Sequence, residues 1–308
     1  MSEQRAELLE SLRPAAFALA YRMLGSVAEA EDIVQEALLR LHRVLEQGER
    51  IASPRAYLAT VTARLALDEL RSARARREQY VGEWLPEPIV TDPDADPAAR
   101  AELVDSLALA FLIILERLSP DQRAALLLRD VFDYAYDEIA ALLDTSEANA
   151  RQLAARARRQ VAERRPRFAA SREQRDELAQ RFFAAAHQGD LQGLEALLAE
   201  DVVLRGDGGG KVPALARSLH GRSRVAHALL AWARQGLRAG QASVQQVEVN
   251  GQPGALMLDT TGKLMGVMAL DIAGGQVCAV SSIVNPDKLR HLGPLGDLRG
   301  LLKREEGV

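Results

Sequence analysis

Arginine and glutamine side chains recur along one predicted helix near the middle of the chain. A short apolar helix containing Ile139, Leu142 and Leu143 meets a polar turn at Thr145, and a second helical run follows. Ser146 is the expected N-cap of that run, because its hydroxyl oxygen can accept a hydrogen bond from an otherwise unpaired backbone N–H group. The other polar side chains that point to chemistry on this run are Asn149, Arg151, Gln152, Arg156 and Arg159.

These side-chain types suit a nucleic acid. Arginine and glutamine hydrogen-bond to base edges, and further arginines neutralise backbone phosphates. A bracing helix, a tight turn and a polar second helix are typical of a helix-turn-helix, whose second helix lies in the major groove of DNA. An ordinary helical hairpin with a solvated arginine face has the same pattern, so the segment alone leaves that alternative open.

The positions of the charged residues are more informative than the net charge. The formal net charge is −4, which argues against a uniformly basic surface. Residues 151–167 nevertheless hold seven arginines and one acid, whereas residues 83–105 hold seven acids and one base. A bound polyanion would be attracted to the first stretch and repelled by the second.

Composition limits the other possibilities. A chain of 308 residues suggests two or three domains, and 48% hydrophobic residues suffice for their cores. The single cysteine, Cys278, excludes an intramolecular disulfide and a cysteine-cluster metal site. We expect no cofactor. With neither a secretory signal nor an apolar run of about 18 residues, we expect a cytoplasmic protein without a membrane span.

Three kinds of pattern follow one another along the chain. Helical periodicity covers the first seventy-odd residues and resumes from about residue 98 to Phe168. Between these stretches, several prolines and a run of acids predict an extended linker. Past residue 171, two or three helices precede β-strand signals, which indicates an α+β domain with a strongly bent antiparallel sheet. The predicted strands are Val202–Leu204, Ala242–Val249, Ala255–Asp259, Leu264–Ile272 and Val277–Val284.

Three motifs occupy the front half in a fixed order. Residues 32–41 read DIVQEALLRL, residues 53–58 and 63–71 read SPRAYL and ARLALDELR, and residues 118–124 and 136–140 read LSPDQRA and YDEIA. Their order and spacing resemble the bacterial sigma factors of the extracytoplasmic-function class. The motifs depart from that family at Leu65, where the family often carries Asn.

The resemblance implies a role for each motif. The first would bind the clamp helices of RNA polymerase through Asp32, Gln35, Glu36 and Leu39. The second would lie beside the loop that holds unpaired bases of the −10 element, with DNA contacts from Arg55, Arg64, Asp68, Arg71 and Arg74. The third would read the −35 element with the helix-turn-helix. Unpaired bases can be held by a pocket while arginines follow the backbone, so the task requires neither a metal nor a nucleophile.

Three further strings are more specific. Residues 80–88 read YVGEWLPEP, residues 207–211 read DGGGK, and residues 285–289 read NPDKL. Together they resemble the group of these sigma factors that carries a fused SnoaL-like domain of the nuclear-transport-factor-2-like (NTF2-like) fold. Trp84 has no core of its own in a linker, so we hypothesise that residues 80–88 dock on a surface of that domain. The predicted interdomain regulatory residues are Trp84, Leu85, Pro86, Asp207, Gly208, Gly209, Gly210, Lys211, Asn285, Pro286, Asp287 and Lys288.

The predicted architecture is a multidomain chain. Two all-α sigma domains, residues 1–78 and 101–168, are separated by an acidic linker over residues 79–100. An α+β SnoaL/NTF2-like cone with a curved antiparallel sheet follows over residues 171–290, and a tail covers residues 291–308. The resemblance implies an alternative sigma factor that is regulated in cis, is not an enzyme, and binds promoter DNA and the β and β′ subunits of core RNA polymerase.

Two other functions are weighed against this one. A one-component regulator would bind an operator without polymerase and sense a small ligand in the C-terminal pocket, and such a ligand stays open for the sigma factor as well. An enzyme in the sheet domain would need His187, His220 or His227 beside an acid or base. None of these histidines has a neighbour at catalytic spacing.

Overall fold

Contacts between residues divide the chain into two units. The computed structural model describes residues 2–49, 51–77, 80–91, 108–162, 171–238 and 241–300. The helical unit comprises Met1–Gln79 and Phe111–Arg165, and the sheet unit comprises Tyr80–Ala110 and Pro166–Val308. The chain thus enters the sheet unit twice: through the predicted linker, and through the predicted C-terminal domain.

Serine side chains cap several of the helices of residues 2–162. They are α1 (Ser2–Leu24), α2 (Val27–Glu46), α3 (Pro54–Arg77), α4 (Leu109–Leu115), α5 (Pro120–Asp130), α6 (Tyr136–Leu143) and α7 (Glu147–Ala162). The hydroxyl oxygen of Ser26 accepts a hydrogen bond from the N–H of Glu29 at 3.2 Å at the start of α2. Ser119 and Gln122 form a reciprocal capping box at the start of α5.

Helix α2 shows how the first three helices are held together. Ile33, Val34, Ala37, Leu38 and Leu41 recur at helical spacing and are buried, and α2 packs against α1 and α3. Each fully buried large aliphatic side chain contributes about 1.5–3 kcal/mol to stability. The opposite side of α2 remains available for polar contacts.

In the described residues, the sheet unit is a seven-stranded sheet with helices on one face. The helices are α8 (Arg172–Gln188), α9 (Leu191–Leu197) and α10 (Arg222–Arg238). The strands are β1 (Val90–Thr91), β2 (Leu198–Asp207), β3 (Leu219–His220), β4 (Gln241–Val249), β5 (Gln252–Asp259), β6 (Leu264–Ala273) and β7 (Gln276–Ile283), in the order β1-β4-β5-β6-β7-β2-β3. Two short 3₁₀ helices, Pro286–Lys288 and Arg290–Leu292, follow β7.

Side chains alternate along each strand between the two faces of the sheet. Phe182, Leu204, Val225 and Val280 lie in the apolar core under helices α8 and α10. Asp207 comes three residues after Leu204 on β2. Because successive side chains on a strand point to opposite faces, Asp207 faces away from that core.

The α+β class is confirmed, and the predicted strands coincide with β2 and β4–β7. The sheet is mostly antiparallel, as predicted, but β2 and β7 pair in parallel, with Val203 opposite Ala279. Side-chain alternation within a strand does not encode the direction of its neighbour, so the sequence pattern could not reveal this pairing. Strands β1 and β3 were not predicted, since two residues give no periodic signal.

Several predicted boundaries fall outside the described residues. The helix expected from about residue 98 and the helix end expected at Phe168 both do so. The predicted tail begins in contact with the sheet: Leu264 N–H donates to the Pro294 carbonyl at 2.9 Å, and Gly296 N–H donates to the Leu264 carbonyl at 2.9 Å. Within the described part of the chain, no helix combines the length and apolar character needed to cross a lipid bilayer.

Candidate functional site

The turn between α6 and α7 has the local geometry of a helix-turn-helix. Asp144 ends α6 in the left-handed region at φ 52°, which short polar side chains tolerate. The hydroxyl oxygen of Ser146 accepts a hydrogen bond from the N–H of Asn149 at 3.2 Å. Thr145 Oγ1 accepts a second one from Asn149 Nδ2 at 2.9 Å. Ser146 and Asn149 therefore shape the start of α7, in addition to any contact they make with DNA.

Helix α7 buries one stripe and exposes the other. Ala150, Ala154, Ala157 and Val161 form the buried stripe, which packs against α5 and α6. All predicted −35 contacts are exposed: Ser146, Asn149, Arg151, Gln152, Arg156 and Arg159. Arg151 pairs with Glu147, and its guanidinium carbon lies 4.4 Å from the centroid of the Tyr136 ring. The Arg151–Glu147 pair is exposed and so contributes about 0.2–1 kcal/mol at most, which leaves Arg151 able to exchange Glu147 for DNA.

Arg158 holds α7 against its neighbours. Its Nε donates to Asp130 Oδ2 at 2.8 Å, and its Nη2 donates to Asp130 Oδ1 at 2.5 Å and to the Tyr136 hydroxyl at 3.2 Å. The hydrogen bond with Asp130 raises the pKa of the Arg158 guanidinium above its ordinary value. The sequence offered no signal for this bracing role, since Arg158 stands in a run of arginines that look alike.

The exposed face of α3 carries the predicted −10 contacts. Arg55, Arg64, Asp68 and Arg71 are exposed. Arg74 lies in α3, but its side chain is outside the described set. Arg71 Nη2 donates to Asp121 Oδ1 of α5 at 3.0 Å. A carboxylate of the helix-turn-helix domain thus binds an arginine that we predicted would bind DNA phosphates.

The predicted polymerase contacts share the outer side of α2. Asp32 and Gln35 are exposed, and Glu36 is half-buried. Glu36 Oε1 accepts a hydrogen bond from Arg40 Nε at 2.7 Å. Leu39 is 42% exposed, so an apolar side chain lies beside these polar ones. These side chains form a mixed apolar and acidic surface on the first domain.

A buried arginine joins the first three helices to α5. Arg123 is 1% exposed. Its Nε and Nη2 donate to the main-chain oxygen of Arg22 at 3.1 and 2.9 Å, and its Nη1 donates to Glu116. Arg22 lies in the last turn of α1, where carbonyl groups lack partners within the helix, so Arg123 satisfies one of them. No pattern in the sequence indicated that this arginine would be buried.

Asp207 is the centre of a second polar group, on the outer face of the sheet. It is 1% exposed. Its Oδ1 accepts hydrogen bonds from the Tyr80 hydroxyl at 2.5 Å and from Gly209 N–H at 3.1 Å. Its Oδ2 accepts them from Leu85 N–H at 2.8 Å and from Lys288 Nζ at 2.7 Å. Four donors on two oxygens offset much of the cost of burying a carboxylate.

Lys288 also contacts two other residues of this group. Its ammonium donates to the main-chain oxygen of Leu85 and lies 4.0 Å from the centroid of the Trp84 ring. Asn285 Nδ2 donates to the Tyr80 hydroxyl at 2.7 Å. Burial, and next the hydrogen bond to Asp207, raises the pKa of Tyr80, so this phenol acts as a neutral donor. We call these residues the Asp207 cluster: Tyr80, Trp84, Leu85, Asp207, Asn285 and Lys288.

The glycine triplet lets other groups approach the cluster closely. A Cβ on Gly208 would overlap a main-chain oxygen, and one on Gly209 would overlap the Asn285 amide. A Cβ on Gly210 would lie 3.1 Å from the Cβ of Val81. Gly209 also has a φ of 59°, which favours glycine. The triplet therefore serves shape, because side chains at these positions would block the close approaches.

Replacing Gly209 by Ala should destabilise the sheet unit more than an ordinary left-handed glycine would. Gly262 is the matched control, because it has a φ of 78° with open space around it. We expect Gly262→Ala to cost about 1 kcal/mol from backbone strain alone. Gly209→Ala should cost about 1–3 kcal/mol more from the overlap with Asn285. Urea unfolding of both variants measures the difference, and equal losses would contradict the close approach described above.

The remaining predicted regulatory residues lie at the rim of the cluster. Lys211 and Asp287 form an exposed ion pair. Asn285 Oδ1 accepts a hydrogen bond from Asp287 N–H at 3.1 Å and so caps the short helix that begins at Pro286. An exposed pair of this kind contributes little to stability, so the rim should matter less than the buried centre.

Beyond the cluster, the predicted linker continues along the sheet. Residues 85–88 are buried. Ile89 N–H donates to Asn250 Oδ1 at 2.9 Å, Asn250 N–H donates back to the Ile89 carbonyl at 2.8 Å, and β1 pairs with β4. His291 Nε2 lies 2.8 Å from the Pro88 carbonyl oxygen. Residues 80–91, which we call the docked segment, are thus part of the sheet unit.

Comparison with known proteins accounts for these sites together. The family described as Sigma-70 region 2 matches residues 8–76, Sigma-70 region 4 matches residues 109–161, and the SnoaL-like domain matches residues 179–283. The chain is 42% identical over 287 residues to the ECF RNA polymerase sigma factor SigJ of Mycobacterium tuberculosis, covering 91% of each chain. The chain belongs to the extracytoplasmic-function sigma factors.

A second relative and a solved structure agree with the assignment of this chain to the extracytoplasmic-function sigma factors. The chain is 36% identical over 281 residues to the probable ECF RNA polymerase sigma factor SigI of Mycobacterium tuberculosis, covering 89% of this chain and 91% of that one. The crystal structure of SigJ superposes with a TM-score of 0.76 at 38% identity, covering 94% of this chain and 100% of that one. Sigma factors bind core RNA polymerase and promoter DNA, and they act by binding rather than by catalysis.

The three family matches leave out much of the Asp207 cluster of this sigma factor. Region 2 covers α1–α3, region 4 covers α4–α7, and the SnoaL-like match ends at residue 283. Tyr80, Trp84 and Leu85 lie between the first two matches, whereas Asn285 and Lys288 follow the third. Our list of interdomain regulatory residues began at Trp84 and omitted Tyr80, although Tyr80 is the first residue of the 80–88 segment that we expected to dock.

Proposed function

We propose that this sigma factor directs core polymerase to promoters with region 2 at the −10 element and region 4 at the −35 element, and that its SnoaL-like domain inhibits it in cis. The observation that carries the proposal is the Asp207 cluster, which fixes the docked segment to the sheet unit. The docked segment is part of the chain that links region 2 to region 4. A domain that holds this segment therefore restricts the positions of both DNA-binding regions.

The helical unit itself supports a closed state. The two promoter elements are centred about 25 base pairs apart, roughly 85 Å of duplex at 3.4 Å per base pair. Arg71 of region 2 instead contacts Asp121 of region 4 at 3.0 Å, and α5 packs directly on the predicted reading helix α7. Since helices in contact lie about 8–10 Å apart, the two reading surfaces are far too close to engage both elements. Promoter binding therefore requires region 2 and region 4 to separate.

Covalent fusion explains how modest contacts can hold the closed state. An inhibitory domain on the same chain acts at a high effective concentration, so each contact need not be strong. Core polymerase then opens the protein only through its higher affinity for the separated state. The mixed surface around Asp32, Gln35 and Leu39 supports α2 as its binding site, because exposed apolar side chains next to charges suit a protein partner.

Two experiments test the proposed function. The purified chain should co-elute with core polymerase, and the polymerase should then produce specific run-off transcripts. A gel-shift assay without polymerase should show weak binding to free duplex. Tight operator binding by the isolated protein would instead favour a one-component regulator.

Substitutions on α7 should reduce transcription without unfolding region 4. Gln152→Ala and Arg156→Ala each remove an exposed side chain that we assign to the −35 element, and Gln160→Ala is an exposed control on the same helix. Loss of a base contact costs about 1–3 kcal/mol, so transcription from a −35-dependent promoter should fall by roughly five- to hundredfold. The measurement is run-off yield at limiting sigma. Equal yields from all three variants would remove α7 from the reading surface.

A further inference from the structure

The sheet unit contains an apolar cavity that no step above uses. It has a volume of about 420 Å³ and lies between helices α8 and α10 and strands β4–β6. Phe183, Trp232, Met257 and Met268 line it, and each of these large side chains is only half-buried. Pockets of this size accept drug-sized molecules. Methionine side chains adapt to the shape of different ligands.

The polar part of the lining restricts what can bind. Among the lining residues that the structure describes, His187 is the only one with an ionisable side chain. Gln180 and Gln246 are exposed and can donate or accept hydrogen bonds at the rim. No carboxylate, lysine or arginine belongs to this described lining, so it offers no permanent charge to offset that of a charged ligand, and it holds no acid–base pair for catalysis.

We propose that this cavity is an effector site for an uncharged, ring-containing small molecule with a hydrogen-bonding group at one end. Rings would fill the space between Phe183, Trp232 and the methionines, and the polar end would face the glutamines. Strand β4 connects the cavity with the docked segment. Val244 and Gln246 of β4 line the cavity, whereas Glu248 and Val249 of the same strand pair with β1. A ligand that orders β4 therefore stabilises the docked segment; this second statement rests on the proposed function, and the first does not.

Binding is tested on the full chain without polymerase. The probe is N-phenyl-1-naphthylamine, an uncharged two-ring-system fluorophore whose emission rises in apolar sites. Ala184→Trp fills the cavity from an exposed lining position on α8, and Gln188→Trp places the same ring on α8 outside the lining. We expect Ala184→Trp to weaken probe binding about tenfold or more, equivalent to about 1.4 kcal/mol, and Gln188→Trp to leave it unchanged.

Two results would overturn the site. One is equal affinity of the wild type and Ala184→Trp; the other is equal weakening by both tryptophan variants. If circular dichroism shows that Ala184→Trp is misfolded, Ala233→Phe fills the same cavity from α10 and replaces it.

The link to the docked segment is tested separately. Coupling between two sites is reciprocal, so releasing the segment must weaken probe binding as much as the probe strengthens docking. Asp207→Asn, or Tyr80→Phe if circular dichroism shows that Asp207→Asn is unfolded, should therefore weaken the probe about fivefold, the lower end of typical coupling. Unchanged affinity would overturn the link and leave the cavity as a binding site. Since no transcription is measured, failure of the site and failure of cis inhibition give different results.

Discussion

Replacing Asp207 by Asn is expected to lower the free energy of unfolding of the sheet unit by about 3–5 kcal/mol, the usual cost of removing one partner from a buried ion pair. Asn keeps the size of the side chain but removes the negative charge that faces Lys288 at 2.7 Å. The ammonium of Lys288 stacks on Trp84, so Trp84 fluorescence during urea unfolding, measured in a Trp232→Phe background, reports the loss.

Asp287→Asn is the matched control for this prediction. It removes the same charge from an ion pair, with Lys211, that is exposed on the same rim. Exposed pairs contribute about 0–1 kcal/mol, so the control should be nearly neutral. Similar losses in the two variants would mean that the buried cluster does not hold the docked segment.

Replacing Arg123 by Met should separate region 2 from region 4. Met keeps the apolar stem but removes the donors to the Arg22 carbonyl and to Glu116. Hydrogen bonds of charged groups contribute about 1.5–3 kcal/mol each, so the closed state should lose several kcal/mol. Spin labels at Arg43 on α2 and Gln160 on α7, in a Cys278→Ser background, measure the result. We expect a new population at a longer distance in Arg123→Met.

The control for Arg123 is Arg117, which precedes α5 and is exposed. Arg117→Met changes charge and side-chain type in the same way without touching the buried contact. Its distance distribution should match the wild type. An unchanged distribution in Arg123→Met would show that this arginine stabilises α5 locally and does not hold the two regions together.

The sequence predicted those parts of the fold that depend on local periodicity. Apolar spacing located α2 and α3, and alternation located β4–β7. Ser146 was recognisable as a cap because capping needs only one side chain and the next turn of helix. Trp84 suggested docking, because a large apolar side chain in an acidic linker needs a partner.

What the sequence could not show depends on contacts between distant residues. Strand β1 exists because β4 offers it an edge, and the parallel pairing of β2 with β7 is set by the path of the whole domain. The burial of Arg123 depends on a carbonyl 101 residues earlier in the chain. Likewise, the sequence around Asp207, next to three glycines, is typical of a turn. The buried position of Asp207 depends on contacts with Tyr80, Leu85 and Lys288, which are distant in the sequence.

Multiple-round run-off transcription with core polymerase at limiting sigma tests the central claim most directly, namely that the SnoaL-like domain inhibits by holding the docked segment. The wild type is compared with Asp207→Asn and Asp287→Asn. Tyr80→Phe serves as a milder variant in case Asp207→Asn unfolds. We predict that Asp207→Asn or Tyr80→Phe raises the yield about fivefold, equivalent to roughly 1 kcal/mol of released inhibition, and that Asp287→Asn matches the wild type. An unchanged or lower yield from a folded Asp207→Asn or Tyr80→Phe protein would contradict the account.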